Sequence, residues 1–242
     1  MSNYDIEYQM SFADLNRGGQ RIVEKIDKTV ARQMVEKIHY SKNFPNNTTH
    51  CFGLYEDNEL IGVVTYGIPA SYYLCIGVAG KKNQHNVLEL NRLVIKPNFN
   101  GNNRASFLVA HSLKMLPGYT FVVSYADTGW THIGYVYQAC NFIYTGLSAK
   151  RLDSYSSGKH PRCYDKTEEH TLWQTRNQKH RYIYLVGNKR DRKKMREELI
   201  YKEVVPYPKG NERRYDVDDP QIARPIQIVD KDGNIITMKC NL

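Results

Sequence analysis

Three side chains with acid–base or metal-binding chemistry stand where predicted helices and strands end. His39 closes an amphipathic helix predicted over residues 29–38. Asp127 ends a strand predicted over residues 120–126, and His132 opens the helix that follows. Imidazole and carboxylate groups that share a cleft can act as a general base and its orienting partner, or as nitrogen and oxygen ligands of iron or manganese. The alternatives are structural, because an aspartate at this place is a frequent N-cap and His132 can be a polar residue of the helix start.

A second chemical feature is an asparagine-rich loop that joins a strand predicted over residues 87–95 to a helix predicted over residues 104–116. Residues 100–105 read NGNNRA, and glycine and asparagine accept the left-handed backbone conformations that such a turn needs. Backbone N–H groups at the start of a helix, together with the helix dipole, bind phosphate groups. The loop therefore predicts a pyrophosphate site, and an ordinary connection between strand and helix is the alternative.

The elements around these features alternate between strand and helix. Further strands are predicted over residues 50–56, 60–67, 142–146 and 180–187, and further helices over residues 132–140 and 189–203. A polar linker over residues 211–225 precedes a hairpin predicted over residues 226–238. This alternation predicts an α/β (α+β) fold with a mixed central sheet and helices on both faces.

The net charge of +9 is confined to one region of the chain. Residues 150–214 hold 18 Lys and Arg against 9 Asp and Glu, whereas the rest of the chain holds 16 of each kind. This asymmetry indicates a polyanionic partner that meets one region, and a solvated basic face is the alternative. Aromatic residues in the same region, such as Tyr155, Tyr164 and Trp173, suit contacts with nucleic-acid bases. We predict that this polyanionic partner is contacted by Lys179, Arg181, Lys189, Arg190, Lys193 and Lys194.

Other sequence features exclude some classes of protein. The five cysteines (Cys51, Cys75, Cys140, Cys163 and Cys240) are scattered and form no CxxC pair, which predicts reduced thiols and neither a disulfide frame nor a zinc ribbon. No apolar run approaches the roughly 20 residues of a membrane helix. The first ten residues lack the features of a secretory signal. We expect a cytoplasmic protein, and a homodimer stays open.

Two stretches resemble the GNAT family of acyl-CoA-dependent N-acyltransferases. The pyrophosphate loop of that family has the pattern R/Q-x-x-G-x-G/A, and Asn100, Asn103 and Ala105 occupy its three marked positions. Residues 137–142, YQACNF, resemble its Y-x-x-x-G-F stretch, with asparagine at the glycine position. The resemblance implies a GNAT-like sheet and a bound acetyl-CoA or other acyl-CoA, held by Leu93, Val94, Ile95, Asn100, Asn103, Arg104 and Ala105. It also implies that Tyr137 protonates the departing thiolate, and packing of Tyr137 in the core is the alternative.

A longer, ordered set of stretches resembles the phage Mom family of DNA adenine-modification proteins. The stretches are HYS at 39–41, ELNRL at 89–93, SYAD at 124–127, HIGYVYQA at 132–139 and KHRYI at 179–183. The resemblance implies transfer of an acetamide-type (methylcarbamoyl) group to N6 of adenine in DNA, which protects the DNA from restriction nucleases. An enzyme acting on that amine usually flips the base out of the duplex, so double-stranded DNA is the expected partner. The implied catalytic residues are His39, Tyr40, Ser41, Asp127, His132 and Tyr137. The implied metal is iron on His39 and Asp127, with His132 as a third candidate ligand.

The predicted organisation has three parts. Residues 1–150 form the acyl-CoA-binding catalytic core, residues 151–210 a basic extension that completes the domain and contacts DNA, and residues 211–242 a linker and hairpin. Two other functions stay open. A GNAT-type acyltransferase that modifies a small-molecule or protein amine would share the loop without needing the basic region. A DNA-binding protein without catalysis would bind neither acyl-CoA nor metal.

Overall fold

The computed structural model describes residues 20–155, 172–211 and 226–239. In this part of the chain the helices α1 to α5 cover Lys28–Ile38, Tyr72–Asn83, Arg104–Lys114, Tyr135–Ala139 and Lys189–Glu198. The strands β1 to β11 cover Arg21–Lys25, Thr48–Glu56, Glu59–Gly67, Val87–Ile95, Thr120–Asp127, Ile143–Leu147, Arg151–Ser154, Leu172–Arg176, Lys179–Val186, Ile226–Asp230 and Ile235–Lys239. None of the described helices is long and apolar enough to span a membrane.

The described strands form two sheets. The larger sheet has the order β1-β2-β3-β4-β5-β9-β6, in which β4 and β5 are parallel and all other neighbours are antiparallel. Helix α3 connects the two parallel strands, as a parallel pair requires a crossover. Strand β9, from the basic region, lies between β5 and β6. The smaller sheet has the order β11-β10-β8-β7 and so joins the hairpin to β7 and β8.

Helices cover both faces of the larger sheet, because successive residues of a strand point to opposite faces. Val64 and Val122 belong to the core that packs against α3 and α4. Their strand neighbours point the other way: Val63 packs against α1, and Val123 packs against α2 and α5. The predicted fold class, a mixed central sheet with helices on both faces, is confirmed. The division into three parts stays a prediction.

The two parallel strands separate soon after they meet. They pair over only three positions, which end at Glu89 opposite Val123, although β4 continues to Ile95 and β5 to Asp127. An irregularity in the pairing of β3 with β4 leaves Asn91 without an opposite residue. The carboxyl ends of neighbouring parallel strands are a usual place for a ligand in an open α/β sheet. The fold therefore provides a crevice between β4 and β5.

The structure corrects several predicted boundaries. The helix predicted over residues 132–140 begins only at Tyr135, because Gly134 has a left-handed backbone with φ of 84°. The helix predicted over residues 189–203 ends at Glu198, where the buried Leu199 turns to an extended conformation. The helix predicted over residues 104–116 ends at Lys114.

Four described elements were missed by the sequence patterns, namely β1, α2, β7 and β8. Helix α2 lacks helical periodicity because its first residues are exposed tyrosines and Gly80 breaks it with φ of 72°. Cys51, Cys75 and Cys140 are buried thiols. Cys163, Tyr164, Cys240 and the segments 156–171 and 212–225 lie outside the described residues.

Candidate active site

A cavity of about 420 Å³ opens where β4 leaves β5. The residues predicted to bind the cofactor all line it: Leu93, Val94, Ile95, Asn100, Asn103, Arg104 and Ala105. His39, Tyr40 and His132 line the same cavity, although they come from the end of α1 and the turn after β5. The structure thus brings the predicted cofactor loop and three of the predicted catalytic residues to one space.

The loop before α3 has the backbone expected of an anion site. Gly101, Asn102 and Asn103 have φ values of 112°, 47° and 57°, in the left-handed region that glycine and asparagine tolerate. Asn103 is the N-cap of α3, and its side chain makes no capping hydrogen bond. The amides of Ala105 and Ser106 lie in the first helical turn, where a helix supplies no acceptor. Both residues line the cavity, where a bound anion could accept from their N–H groups.

The guanidinium of Arg104, at the end of the loop, forms an ion pair within the protein. Its Nε and Nη2 donate to the two carboxylate oxygens of Glu56, at 2.5 and 2.9 Å. These hydrogen bonds lower the pKa of the buried Glu56. The sequence analysis did not assign Glu56 to the site. The one feature that could have indicated it is a charged residue at the end of a mostly apolar strand. Arg104 lines the cavity, but its charge is held at the wall.

His39 is neutral and its tautomer is fixed by Ser41. The backbone N–H of Ser41 donates to Nδ1 of His39 at 3.1 Å, and the Ser41 Oγ lies 2.8 Å from the same nitrogen. Because Nδ1 accepts, the proton of the neutral ring lies on Nε2. Burial, followed by the positive charge of Arg92, lowers the pKa of His39 to about 3. His39 thus presents its Nε2–H as a hydrogen-bond donor at neutral pH, and its role as a general base stays a prediction.

An aromatic cluster forms the wall beside His39. The ring of Tyr40 lies 4.2 Å from that of His39, 4.9 Å from that of Trp130 and 6.0 Å from that of His132, measured between centroids. Burial, reinforced by the charge of Asp127, raises the pKa of Tyr40 to about 12. Tyr40 therefore stays protonated and can donate or stack. Ser41, the third residue of the predicted stretch, is exposed and acts on the ring of His39.

Asp127 is placed behind the cavity, as a cap and an ion-pair partner. Its Oδ1 accepts from the backbone N–H of Gly129 at 2.9 Å, and its Oδ2 lies 2.9 Å from Nζ of Lys179. Its backbone carbonyl accepts from the N–H of His132 at 3.1 Å. Asp127 is therefore an N-cap, which is the structural alternative that the sequence left open. Asp127 holds the turn that carries Trp130 and His132.

The donors do not fit the iron centre that was expected on His39 and Asp127. Both oxygens of Asp127 are engaged, one of them by a lysine cation, and Nδ1 of His39 already accepts from Ser41. Among the residues that the structure describes, no group of three or more His, Cys, Asp or Glu side chains could hold a metal ion. A metal centre needs deprotonated ligands that converge on one point, so we assign no role to iron.

A smaller adjoining cavity of about 170 Å³ shares His39, Tyr40 and His132 and adds Tyr125 and Tyr137 to its walls. Tyr137 packs against Phe142 and Tyr182, with ring centroids 5.3 and 5.4 Å away, so it belongs both to the core and to this cavity. Tyr137 does not line the cavity of about 420 Å³, which we call the larger cavity of the site; Tyr135 lines it instead.

Arg92 is a further wall residue of the smaller cavity that no sequence assignment singled out. Arg92 belongs to the ELNRL stretch that resembles the Mom family, so the sequence contained a signal for it. Nothing in the sequence predicted its contact with a distant loop. Its Nε donates to the carbonyl of Asn43 at 2.7 Å, and burial lowers its pKa. Arg92 thereby ties the loop after His39 to β4.

The predicted DNA-binding residues fall into two groups. Lys179 pairs with Asp127, and Arg181 stacks on Tyr201 with its guanidinium carbon 3.3 Å from the ring centroid, so both are engaged within the protein. The other four, Lys189, Arg190, Lys193 and Lys194, are exposed on α5. Lys189, Arg190 and Lys193, together with Arg192 and Arg196, line an open cleft of about 880 Å³ between α5, β6 and β9.

The fold and the site define an α/β protein with a helix N-terminus suited to an anion and a cavity that contains a neutral, half-buried imidazole. The chain belongs to the Mom protein family, whose sequence profile matches residues 20–209. It is 26% identical over 204 residues to a protein named methylcarbamoylase mom from Escherichia phage Mu, in an alignment that covers 77% of this chain and 83% of that protein.

Solved structures of acetyltransferases are also similar to the chain. The ribosomal-protein-S18-alanine N-acetyltransferase from Escherichia coli has 11% identity and a TM-score of 0.43, covering 70% of this chain and 96% of its own. A GNAT-family acetyltransferase from Bacillus cereus has 15% identity and a TM-score of 0.42, covering 70% of this chain and 100% of its own. These identities are too low to transfer a substrate or a cofactor.

Proposed function

We propose that the protein is a DNA-modifying transferase that adds a methylcarbamoyl (acetamide-type) group to N6 of adenine, with an acyl-CoA as a substrate. Membership of the Mom family and the likeness to the phage Mu methylcarbamoylase support the reaction class. The observation that carries the proposal is that one cavity is lined both by the loop at the start of α3 and by the neutral His39. The phosphates of an acyl-CoA could be bound by the loop while its thioester lies beside His39 in the same cavity.

The walls of the larger cavity suit the parts of an acyl-CoA. The amides of Ala105 and Ser106 meet the pyrophosphate, with the positive end of the α3 dipole behind them. The splayed end of β4, from Leu93 to Ile95, provides a largely apolar strip for the pantetheine arm, and Val136 lies opposite. The tight turn at Gly101–Asn103 lets the backbone approach the phosphates closely.

The catalytic residues act on the donor carbonyl and on the leaving group. When bound, an acyl-CoA would supply a two-carbon unit, whose thioester C–S bond breaks as CoA leaves as its thiol. The amide nitrogen of the methylcarbamoyl group would come from a separate nitrogen donor, and a two-electron oxidant would be needed to join N6 to the methyl carbon as N6 gives up its proton. The Nε2–H of His39 donates to the carbonyl oxygen, because a fixed neutral imidazole can stabilise charge that develops there. Tyr40, which lines the cavity and is backed by the ring of Trp130, stacks on the adenine ring. Tyr137 donates its phenolic proton toward the thiolate from the adjoining cavity.

The DNA lies across the face of the sheet that carries α1, α2 and α5, opposite the face that carries α3. The smaller cavity is lined from both faces of the sheet, because Tyr125 packs with the α2–α5 side and Tyr137 with the α3–α4 side. Exposed cations of α5 contact the phosphate backbone, which is how sequence-independent affinity for DNA arises.

Replacing Ala105 with Glu should weaken acyl-CoA binding at least about tenfold, because a carboxylate at the helix start repels the pyrophosphate and fills the turn. Isothermal titration with acetyl-CoA measures the change. Asn98→Glu adds the same charge at an exposed position just outside the cavity and serves as the matched control. Unchanged affinity of the Ala105→Glu protein would remove the loop from the cofactor site.

Neutralising Lys189, Arg190, Lys193 and Lys194 together should make the slope of log affinity for duplex DNA against log salt less negative by about 3 to 4, because each lost phosphate contact removes close to one released counterion. Fluorescence anisotropy over a salt series gives the slope. The control neutralises four other exposed lysines, Lys25, Lys37, Lys114 and Lys209. Equal changes in both proteins would mean that only net charge matters and that α5 is not the contact surface.

Mass spectrometry of nucleosides tests the proposal as a whole. DNA from cells that express the chain should contain a modified deoxyadenosine whose added mass is that of the methylcarbamoyl group, and DNA from cells that express His39→Ala should not. A plain acetyl adduct would correct the transferred group. Unmodified DNA together with acylated proteins or small amines would favour the acyltransferase alternative instead.

A further inference from the structure

An exposed apolar patch lies where β3 passes into α2. It consists of Ile68, Tyr72 and Tyr73, which we call the tyrosine patch, and their exposed fractions are 57%, 56% and 82%. The two tyrosine rings meet edge to face, with centroids 5.9 Å apart. Large apolar side chains that stand together in solvent commonly mark a binding surface.

The backbone beneath the patch is held firmly. The N–H of Ile68 donates to the carbonyl of Asn47 at 3.1 Å, and the side-chain amide of Asn47 donates to the carbonyl of Ile68. A Cβ on Gly67 would lie 2.3 Å from the Asn47 carbonyl oxygen, so this approach requires glycine. Inside α2, Cys75 and Val78 are buried in the core. The tyrosines are therefore presented by a fixed support and do not themselves hold the fold together.

The patch stands next to the point where the active-site crevice begins. Gly67 pairs with Glu89, the last residue of β4 that also pairs with β5. The Asn91 side chain, which lines the smaller cavity, lies within 2.9 Å of where a Gly67 Cβ would be. The loop from His39 to Asn47 therefore contacts both: His39 lines the cavity, and Asn47 is hydrogen-bonded to Ile68 of the patch.

The face of the sheet that carries α2 also carries exposed cations. Helix α2 packs on the same face of the sheet as α5, whose residues 189–196 read KRDRKKMR. A sheet face that carries exposed cations and, elsewhere on it, two exposed aromatic rings matches a nucleic acid, whose phosphates and stacked bases both extend along the duplex. An acidic protein partner would use the cations without needing the tyrosines.

We propose that the tyrosine patch is a wedge that enters the base stack of duplex DNA and fills the gap left when the target adenine is turned out into the cavity. The inference rests on the proposed function, because N6 of a stacked, paired adenine has to be exposed before it can react. Apolar and aromatic side chains inserted between base pairs are a known means of stabilising such an opened duplex. Ile68 and Tyr73 supply the inserted surface, and Tyr72 supports the ring of Tyr73.

The test compares an intact duplex with the same duplex that has an abasic gap, using fluorescence anisotropy and the full-length protein. A wedge binds the gapped duplex more tightly because no base has to be unstacked. The wild-type protein should prefer it about tenfold, and Tyr72→Ala/Tyr73→Ala should lose most of that preference. Tyr72→Phe/Tyr73→Phe should keep it. Ile235→Ala/Ile236→Ala, which removes exposed apolar side chains of the smaller sheet, is the matched control and should behave as wild type.

Two outcomes of the binding test overturn the wedge: no preference for the gapped duplex in the wild-type protein, or a preference that survives in the double alanine variant. Neither depends on chemistry, so the wedge can stand even if no modified nucleoside is found and the proposed function fails. Where modification is detected, the double alanine variant should modify duplex DNA at least about tenfold more slowly but single-stranded DNA at the wild-type rate. Equal losses on both substrates would show a general structural defect.

Discussion

His39→Ala should lower the rate of DNA modification about 100- to 1,000-fold while the protein stays folded, because the variant loses the Nε2–H that faces the donor carbonyl. The ring is half-buried at the end of α1, where its removal leaves the helix hydrogen bond from the His39 N–H to Val35 in place. Single-turnover measurement of modified adenine, with thermal melts alongside, separates catalysis from folding.

The conservative variant His39→Gln distinguishes a hydrogen-bond donor from a base. Glutamine can donate from its side-chain amide but cannot accept a proton at neutral pH. It should therefore recover at least about tenfold of the rate lost in His39→Ala. If glutamine and alanine are equally inactive and equally folded, the imidazole does more than donate, and the role derived from the Ser41 contact is wrong.

The pH dependence follows from the same ring. Its pKa is lowered from 6.5 to about 3, so the neutral form persists through the physiological range and the rate should show no inflection near pH 6.5 from His39. A depressed histidine pKa means that the fold disfavours the protonated ring. Its contribution to stability is fully present above pH 6.5 and is lost as the pH falls toward 3. Urea unfolding of wild type and His39→Gln at pH 7 and pH 4.5 should show a smaller pH effect in the variant.

The sequence predicted the parts of the site that are local. The NGNNRA loop, its strand and its helix are contiguous, so glycine and asparagine at left-handed positions could be read directly. His39 could likewise be placed at the end of α1, because the helix pattern from Val30 to Ile38 stops there.

Contacts between distant residues could not be predicted. The ion pair of Glu56 with Arg104 joins β2 to α3, and the bond from Arg92 to Asn43 joins β4 to a loop 49 residues away. Only the strand order brings Lys179 opposite Asp127, since β9 enters the sheet beside β5 from the basic region. A lysine predicted to contact DNA is thus the ion-pair partner of the carboxylate that was predicted to bind a metal.

Asp127→Ala should lower the modification rate about 100-fold and destabilise the protein by about 1 kcal/mol, because the turn over Thr128–Trp130 loses its cap. That turn carries Trp130, whose ring packs against Tyr40, and His132, which lines the cavity. A displacement of about 1 Å in such a wall is enough for a loss of this size.

Asp127→Asn separates the cap from the charge. Asparagine can still accept from the Gly129 N–H, but it leaves Lys179 without its anion. Because the side chain of Lys179 is one-third exposed, its charge can turn to solvent at modest cost. We therefore expect Asp127→Asn to keep the melting temperature and to stay within about fivefold of the wild-type rate. Nucleoside analysis and thermal melts of both variants decide the matter. A folded Asp127→Asn protein as inactive as Asp127→Ala would show that the carboxylate charge takes part in the reaction and that its role is more than to hold the turn.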